Sequence, residues 1–156
     1  MNRLIAAALC LIATPALAQN DQGAKVYPCN DATRADTISE PWEENTATYA
    51  DGRIRVALLD YAEPAGAAMK LLILSPPHDE LGLRQCRIVG WSDSLGFYGI
   101  DFAERHADYD PGRGLTLTLP VRRYPTETEG EDGGWFQLGI TIDQKTGDIT
   151  LQASGD

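Results

Sequence analysis

The sequence has 156 residues, 13 of them basic and 23 acidic, for a formal net charge of −10 at pH 7. That length suits a single domain, and a field of that sign repels phosphate backbones and anionic lipid, which excludes nucleic-acid and membrane-surface binding as first readings. The acidity suits a cationic partner or a metal ion, or serves solubility alone.

Arg3 begins a short positive region, Leu4 to Thr14 is apolar, and Pro15 breaks the run before Ala16-Leu17-Ala18. This is the pattern of a cleavable Sec-type signal peptide over residues 1–18, with the mature chain starting near Gln19. The run is shorter than the roughly 20 residues a membrane span needs. Cys10 lies in its middle, where no lipid is attached, and no twin-arginine motif is present. Export therefore runs unfolded, and no cofactor is expected to travel with the chain. No second long apolar run follows, so no membrane insertion is expected after cleavage.

Cleavage removes Arg3 and Cys10, leaving 12 basic and 23 acidic residues, a net charge of −11, and the cysteines Cys29 and Cys86. Two cysteines in an oxidising compartment allow one connectivity, so a Cys29–Cys86 disulfide is expected. The chain contains no Asn-x-Ser/Thr sequon, which favours a bacterial periplasm over a eukaryotic secretory route. The expected address is periplasmic or secreted.

Residues 19–50 read as irregular or weakly helical, with Asn30-Asp31 placed to cap a short helix over Ala32 to Ile38. From residue 51 the pattern becomes β. Arg53 to Asp60 puts Ile54, Val56 and Leu58 on one face. Leu71 to Leu74 is apolar on both faces, as a central strand would be, and Ser75-Pro76-Pro77 should end it. Arg84 to Trp91 follows. Phe97 to Phe102 would point Tyr98, Ile100 and Phe102 inward. Leu115, Leu117, Leu119 and Val121 alternate with polar residues, as do Phe136, Leu138, Ile140 and Ile142. Asp143 to Gly147 reads as a hairpin turn into a last strand with Ile149 and Leu151 inward. About seven strands with sharp turns between them indicate an antiparallel β-sandwich or small barrel, with the N-terminal segment tied on by the disulfide.

Several residue groups invite chemistry. Asp101, Glu104, His106, Asp108 and Asp110 form the densest run of ligand-type side chains. Asp108-Tyr109-Asp110-Pro111-Gly112 looks like half of a calcium loop, without its third acidic position or closing Glu, and otherwise reads as a solvated acidic loop. His78 and His106 are the only histidines. Glu40-Pro41-Trp42-Glu43-Glu44 sets an aromatic in an acidic stretch. Trp42 with Glu43 would either anchor a cationic partner or plug an open end of the sandwich. Arg53, Arg55, Arg84 and Arg87 are placed to bind an anion or to pair with carboxylates across strands. No phosphate-binding Gly-rich loop, Cys-x-x-Cys pair or haem motif occurs.

Asp93-Ser94-Leu95 resembles the nucleophile block of the SGNH (GDSL-type) hydrolases. The resemblance covers those three residues, with Ser92 standing where that family has Gly. The family's catalytic His follows an Asp three residues earlier, whereas Ala103 stands three before His106. The resemblance implies a nucleophilic Ser94, which would need a base within reach.

The sequence thus points first to a non-catalytic binding or accessory module of the cell envelope. It would engage a cationic envelope protein or a small ligand through loops at one end, with Trp42, Glu43, Asp101, His106, Asp108 and Asp110 as candidate contacts. No residue is assigned a catalytic or metal-ligating role. The alternative is a metal-assisted or serine hydrolase using the Asp101–Asp110 cluster or Ser94.

Overall fold

The computed structural model describes residues 23–92 and 94–154. The expected signal, and with it Cys10, lies outside the described residues. Ten strands form two antiparallel sheets: β1 (Lys25–Pro28), β2 (Thr46–Tyr49), β3 (Ile54–Asp60), β4 (Met69–His78), β5 (Arg84–Gly90), β6 (Gly99–Ile100), β7 (His106–Asp110), β8 (Gly114–Arg122), β9 (Trp135–Ile142) and β10 (Ile149–Ser154). The first sheet runs in the order β1-β5-β4-β3-β2. The second runs β10-β9-β8-β6, and β7 also pairs with β8.

The sandwich follows from side-chain alternation. Ile54, Val56 and Leu58 of β3, with Leu71 and Ile73 of β4, face Leu115, Leu117, Leu119 and Val121 of β8 and Leu138, Ile140 and Ile142 of β9. All are buried, so the two sheets bury one shared apolar layer. Trp91, Phe97 and Phe136 extend it with edge contacts at ring-centroid distances of 5.9–6.4 Å.

The first sheet also carries a second, smaller core on its outer face. Ala57, Leu59 and Ile88 are buried there under Tyr27, Cys29, Ile38, Tyr61 and Leu72. Residues 29–45 supply part of this cover. Ile38 bridges to Leu59, and the Ser39 amide donates to the Leu58 carbonyl at 3.0 Å. The Cys29–Cys86 disulfide is formed, with a sequence separation of 57. It joins the residue after β1 to the middle of β5.

Several expectations change. The segment 19–50 contributes two strands, β1 and β2, to the first sheet, and the helix expected over Ala32 to Ile38 is a single 3-10 turn at Ala35–Thr37. The prolines do not end β4. The strand has left β3 by then, the last β3 pair being Arg55↔Leu74, and a register shift between Ser75 and His78 takes up Pro76 and Pro77 against β5 alone. Missing amide donors are tolerated where one side of a strand is open. Tyr98 is exposed rather than inward, while Phe97 is buried. Phe97 bridges to Met69 of the first sheet, and the chain then crosses to β8, so the two-residue period breaks between Phe97 and Gly99.

Candidate functional site

The turns β2–β3, β4–β5, β7–β8 and β9–β10 gather at one end of the sandwich and are laced together. Arg84 at the start of β5 donates from Nε to the Arg53 carbonyl at 3.0 Å and from Nη2 to the Gly52 carbonyl at 3.1 Å. Gln85 Nε2 donates to the Gly147 carbonyl at 2.7 Å and to the buried Ser75 Oγ at 2.9 Å. Lys145 Nζ donates to the Pro111 carbonyl at 3.1 Å. Arg84 thus holds backbone carbonyls, where pairing with carboxylates was the sequence expectation. Gly147 adopts φ +85°, as the expected β9–β10 turn requires.

The β4–β5 turn is held from within. Asp79 Oδ1 accepts the amides of Leu81 and Leu83 at 2.9 and 2.8 Å. The Asp79 amide donates to the Leu83 carbonyl at 2.8 Å, and Gly82 takes φ +81°. The same turn presents Leu81 at 84% exposure and Leu83 at 62%. The turn thus holds the backbone that carries two solvent-exposed apolar side chains.

A cleft of about 430 Å³ opens between the β2–β3 and β7–β8 hairpins, lined by Tyr49, Arg53, Asp108, Tyr109 and Leu115 among others. Tyr109 is 57% exposed. Arg105 Nε donates to Tyr49 Oη at 3.2 Å and steadies one wall. Asp51, Asp79, Glu80, Asp110, Asp143 and Asp148 all lie in or next to the turns of this end. Asp143 is held below the usual carboxylate range, chiefly by the Lys145 amide. It therefore stays charged.

Of the residues singled out from the sequence, His106, Asp108 and Asp110 alternate along one face of β7, whereas Trp42 and Glu43 lie elsewhere. Asp108 lines the cleft. Asp110 is used locally, accepting the Gly112 and Arg113 amides at 2.8 and 2.9 Å. Asp101 accepts the Glu104 amide at 3.2 Å. His106 is exposed on β7, opposite Thr118. Trp42 and Glu43 sit in the one-turn helix α1 (Trp42–Asn45), at the end of β2 remote from the Ala50–Arg53 turn. Trp42 is 45% exposed, so it does not plug the sandwich.

Among the described residues, no group of three or more His, Cys, Asp or Glu side chains is placed to hold a metal ion. Ser94 is exposed, and its carbonyl accepts Lys70 Nζ at 3.2 Å. Lys70 lies over the rings of Tyr27 and Tyr61, and burial lowers its pKa. Its bond to Ser94 ties the β5–β6 connection down. No hydrogen bond joins the Ser94 hydroxyl to a base among the described residues. No helix among the described residues is long and apolar enough to cross a membrane.

Leu81, Leu83 and Tyr109 were not singled out from the sequence. The available signal was an apolar pair flanking Gly82 inside a polar turn. No known protein family, curated protein or solved structure matches the chain.

Proposed function

We propose that this chain is a non-catalytic binding module of the periplasm or the secreted space, and that it grips a cationic envelope protein through the turns at one end. The observation that carries the reading is the self-braced β4–β5 turn, which holds Leu81 and Leu83 out beside a rim of carboxylates. Partners bind such anchors by burying the apolar side chain at the centre and meeting charge at the rim. The acidic rim supplies steering toward a basic surface, an effect that salt weakens. The disulfide supports an oxidising compartment, since such bonds persist outside the cytosol.

A photo-crosslinking residue at position 81 tests this in the native host, with the same residue at the exposed Ala35 as control. The expected result is one discrete adduct from position 81, weakened by Glu80→Lys and absent from position 35. Equal adducts from both positions, or none from position 81, would overturn the reading.

A further inference from the structure

A second surface lies away from the turns, on the outer face of the second sheet. The register puts Thr116, Thr118, Pro120 and Arg122 of β8 beside Thr141, Gly139, Gln137 and Trp135 of β9. Thr150, Gln152 and Ser154 of β10 continue the same rows. Their neighbours Leu115, Leu117, Leu119, Leu138, Ile140 and Ile142 all point into the core, so these side chains point out.

Two features mark this face. At one end Trp135 is 47% exposed and Tyr98 and Tyr124 are exposed beside it. The Arg122 guanidinium lies 4.7 Å from the Tyr98 ring centroid and 5.7 Å from that of Trp135. Tyr124 meets Tyr98 edge-on at 5.4 Å. Arg122 Nε donates to the Gly133 carbonyl at 2.8 Å, which fixes the guanidinium. Its Nη2 is buried with no hydrogen-bond partner among the described residues.

Four residues further along, the absent side chain of Gly139 helps leave a trough of about 180 Å³, lined by Thr116, Thr118, Thr141, Gln152 and Ser154. The platform and the trough are separated by roughly 13 Å along the strands, at about 3.3 Å per residue. The chain has 23 acidic residues, yet none occupies an outward position of β8, β9 or β10.

The face therefore offers flat aromatic rings, one fixed guanidinium, a row of hydroxyls and amides, and a carboxylate at its β7 edge, where Asp108 lies opposite Thr116. A cationic protein would find carboxylate only at the β7 edge of the face, away from the aromatic platform. A lipid surface would find no apolar side chains beyond the platform. A sugar ring has an apolar C–H face to lie on an aromatic ring and a rim of hydroxyls to exchange hydrogen bonds with Thr, Gln and Arg. A chain of such rings is long enough to reach from the platform to the trough.

We propose that the outer face of β8, β9 and β10 binds an uncharged polysaccharide, with Trp135 and Tyr98 stacking on sugar rings and the Gly139 trough receiving hydroxyls. This site is separate from the Leu81 turn and does not depend on it. The two together would let the module hold a protein against envelope glycan.

Native affinity electrophoresis tests this, using gels cast with glucomannan, mixed-linkage β-glucan, dextran or amylose and with polygalacturonate as the anionic control. The expected result is retardation by at least one neutral polymer and none by polygalacturonate. Trp135→Ala should weaken binding about tenfold, the loss of one stacking contact. Because Trp135 also packs on Arg122, a second variant places a side chain in the trough, with its melting temperature measured alongside. A Cβ at Gly139 would meet nothing closer than the Gln152 carbonyl at 3.4 Å, an ordinary contact. Gly139→Val should keep the melting temperature and abolish retardation. Leu81→Asp should leave retardation intact. No retardation in any neutral gel, retardation that survives both face variants, or retardation by polygalacturonate alone would overturn the proposal.

Discussion

The outer faces of the two sheets are finished in opposite ways. On the first sheet, Ala57, Leu59 and Ile88 are apolar, and the chain covers them with its own residues 29–45 and with Tyr27 and Tyr61. On the second sheet the equivalent positions are threonine, glutamine and glycine, and no segment of the described chain lies across them. One face is a second core that stabilises the fold. The other carries polar side chains at the surface, among them Thr116 and Thr141, whose hydroxyls bond one another at 3.0 Å. A sandwich needs only its inner layer to close, so the two outer faces are free to differ.

The comparison can be broken at the disulfide first. Replacing Cys29 and Cys86 together by Ser frees the cover of the first sheet. A closed loop of 57 residues is worth about 4 kcal/mol in the chain-entropy account. Urea unfolding of the double variant should show a loss of that size, and an unchanged midpoint would mean that the cover holds without its staple.

The next largest effect separates the faces directly. Leu59 is fully buried on the outer face of the first sheet, and Leu59→Ala should cost about 3 kcal/mol. Thr118→Val, on the outer face of the second sheet, should shift stability by no more than about 0.5 kcal/mol. Equal costs in denaturant melts would erase the distinction.

The smallest effect concerns the loop that borders the aromatic platform. Arg123 forms a bidentate pair with Glu129. The Arg123 guanidinium first, then the amide and hydroxyl of Thr126, pull the Glu129 carboxyl from 4.5 down to about 2. A depressed carboxylate stabilises the fold above its ordinary value, and that contribution is lost as pH falls from 4.5 towards 2. Glu129→Gln should therefore lower the melting temperature slightly at pH 7 and leave a smaller gap to the parent chain at pH 3. A gap independent of pH would show that the pair is immaterial to the loop.

The strands with one buried face were legible because their alternation is the physical cause of their placement. Leu115 to Val121 and Leu138 to Ile142 behave as their period predicts. The disulfide was legible because only one pairing was open to Cys29 and Cys86. β7 was not. His106-Ala107-Asp108-Tyr109-Asp110 is exposed over most of its length on an edge, so no apolar period marks it and its acids read as a loop. The fate of Pro76 and Pro77 depended on where β3 ends, which is a fact about a neighbouring strand. The candidate site was less legible still. Asp108 stands out in the sequence as a candidate binding contact within an acidic run, and in the structure it lines a cleft. Leu81 and Leu83 carry no periodic signal, and the bonds from Asp79 are what fix the turn on which they stand exposed. Trp135 and Arg122 lie thirteen residues apart and meet only through the pairing of β8 with β9.

The staple between β1 and β5 also sets how the molecule bears tension. A pull on the chain ahead of β1 can peel that four-residue strand no further than Cys29. Force then crosses the sulfur bridge into Cys86 and continues toward the C-terminus. Residues 30–85, which include β2, β3, β4 and the Leu81 turn, sit in a closed loop outside that load path. A chain pulled from its two ends would keep the Leu81 turn unstretched for as long as the bridge remains oxidised.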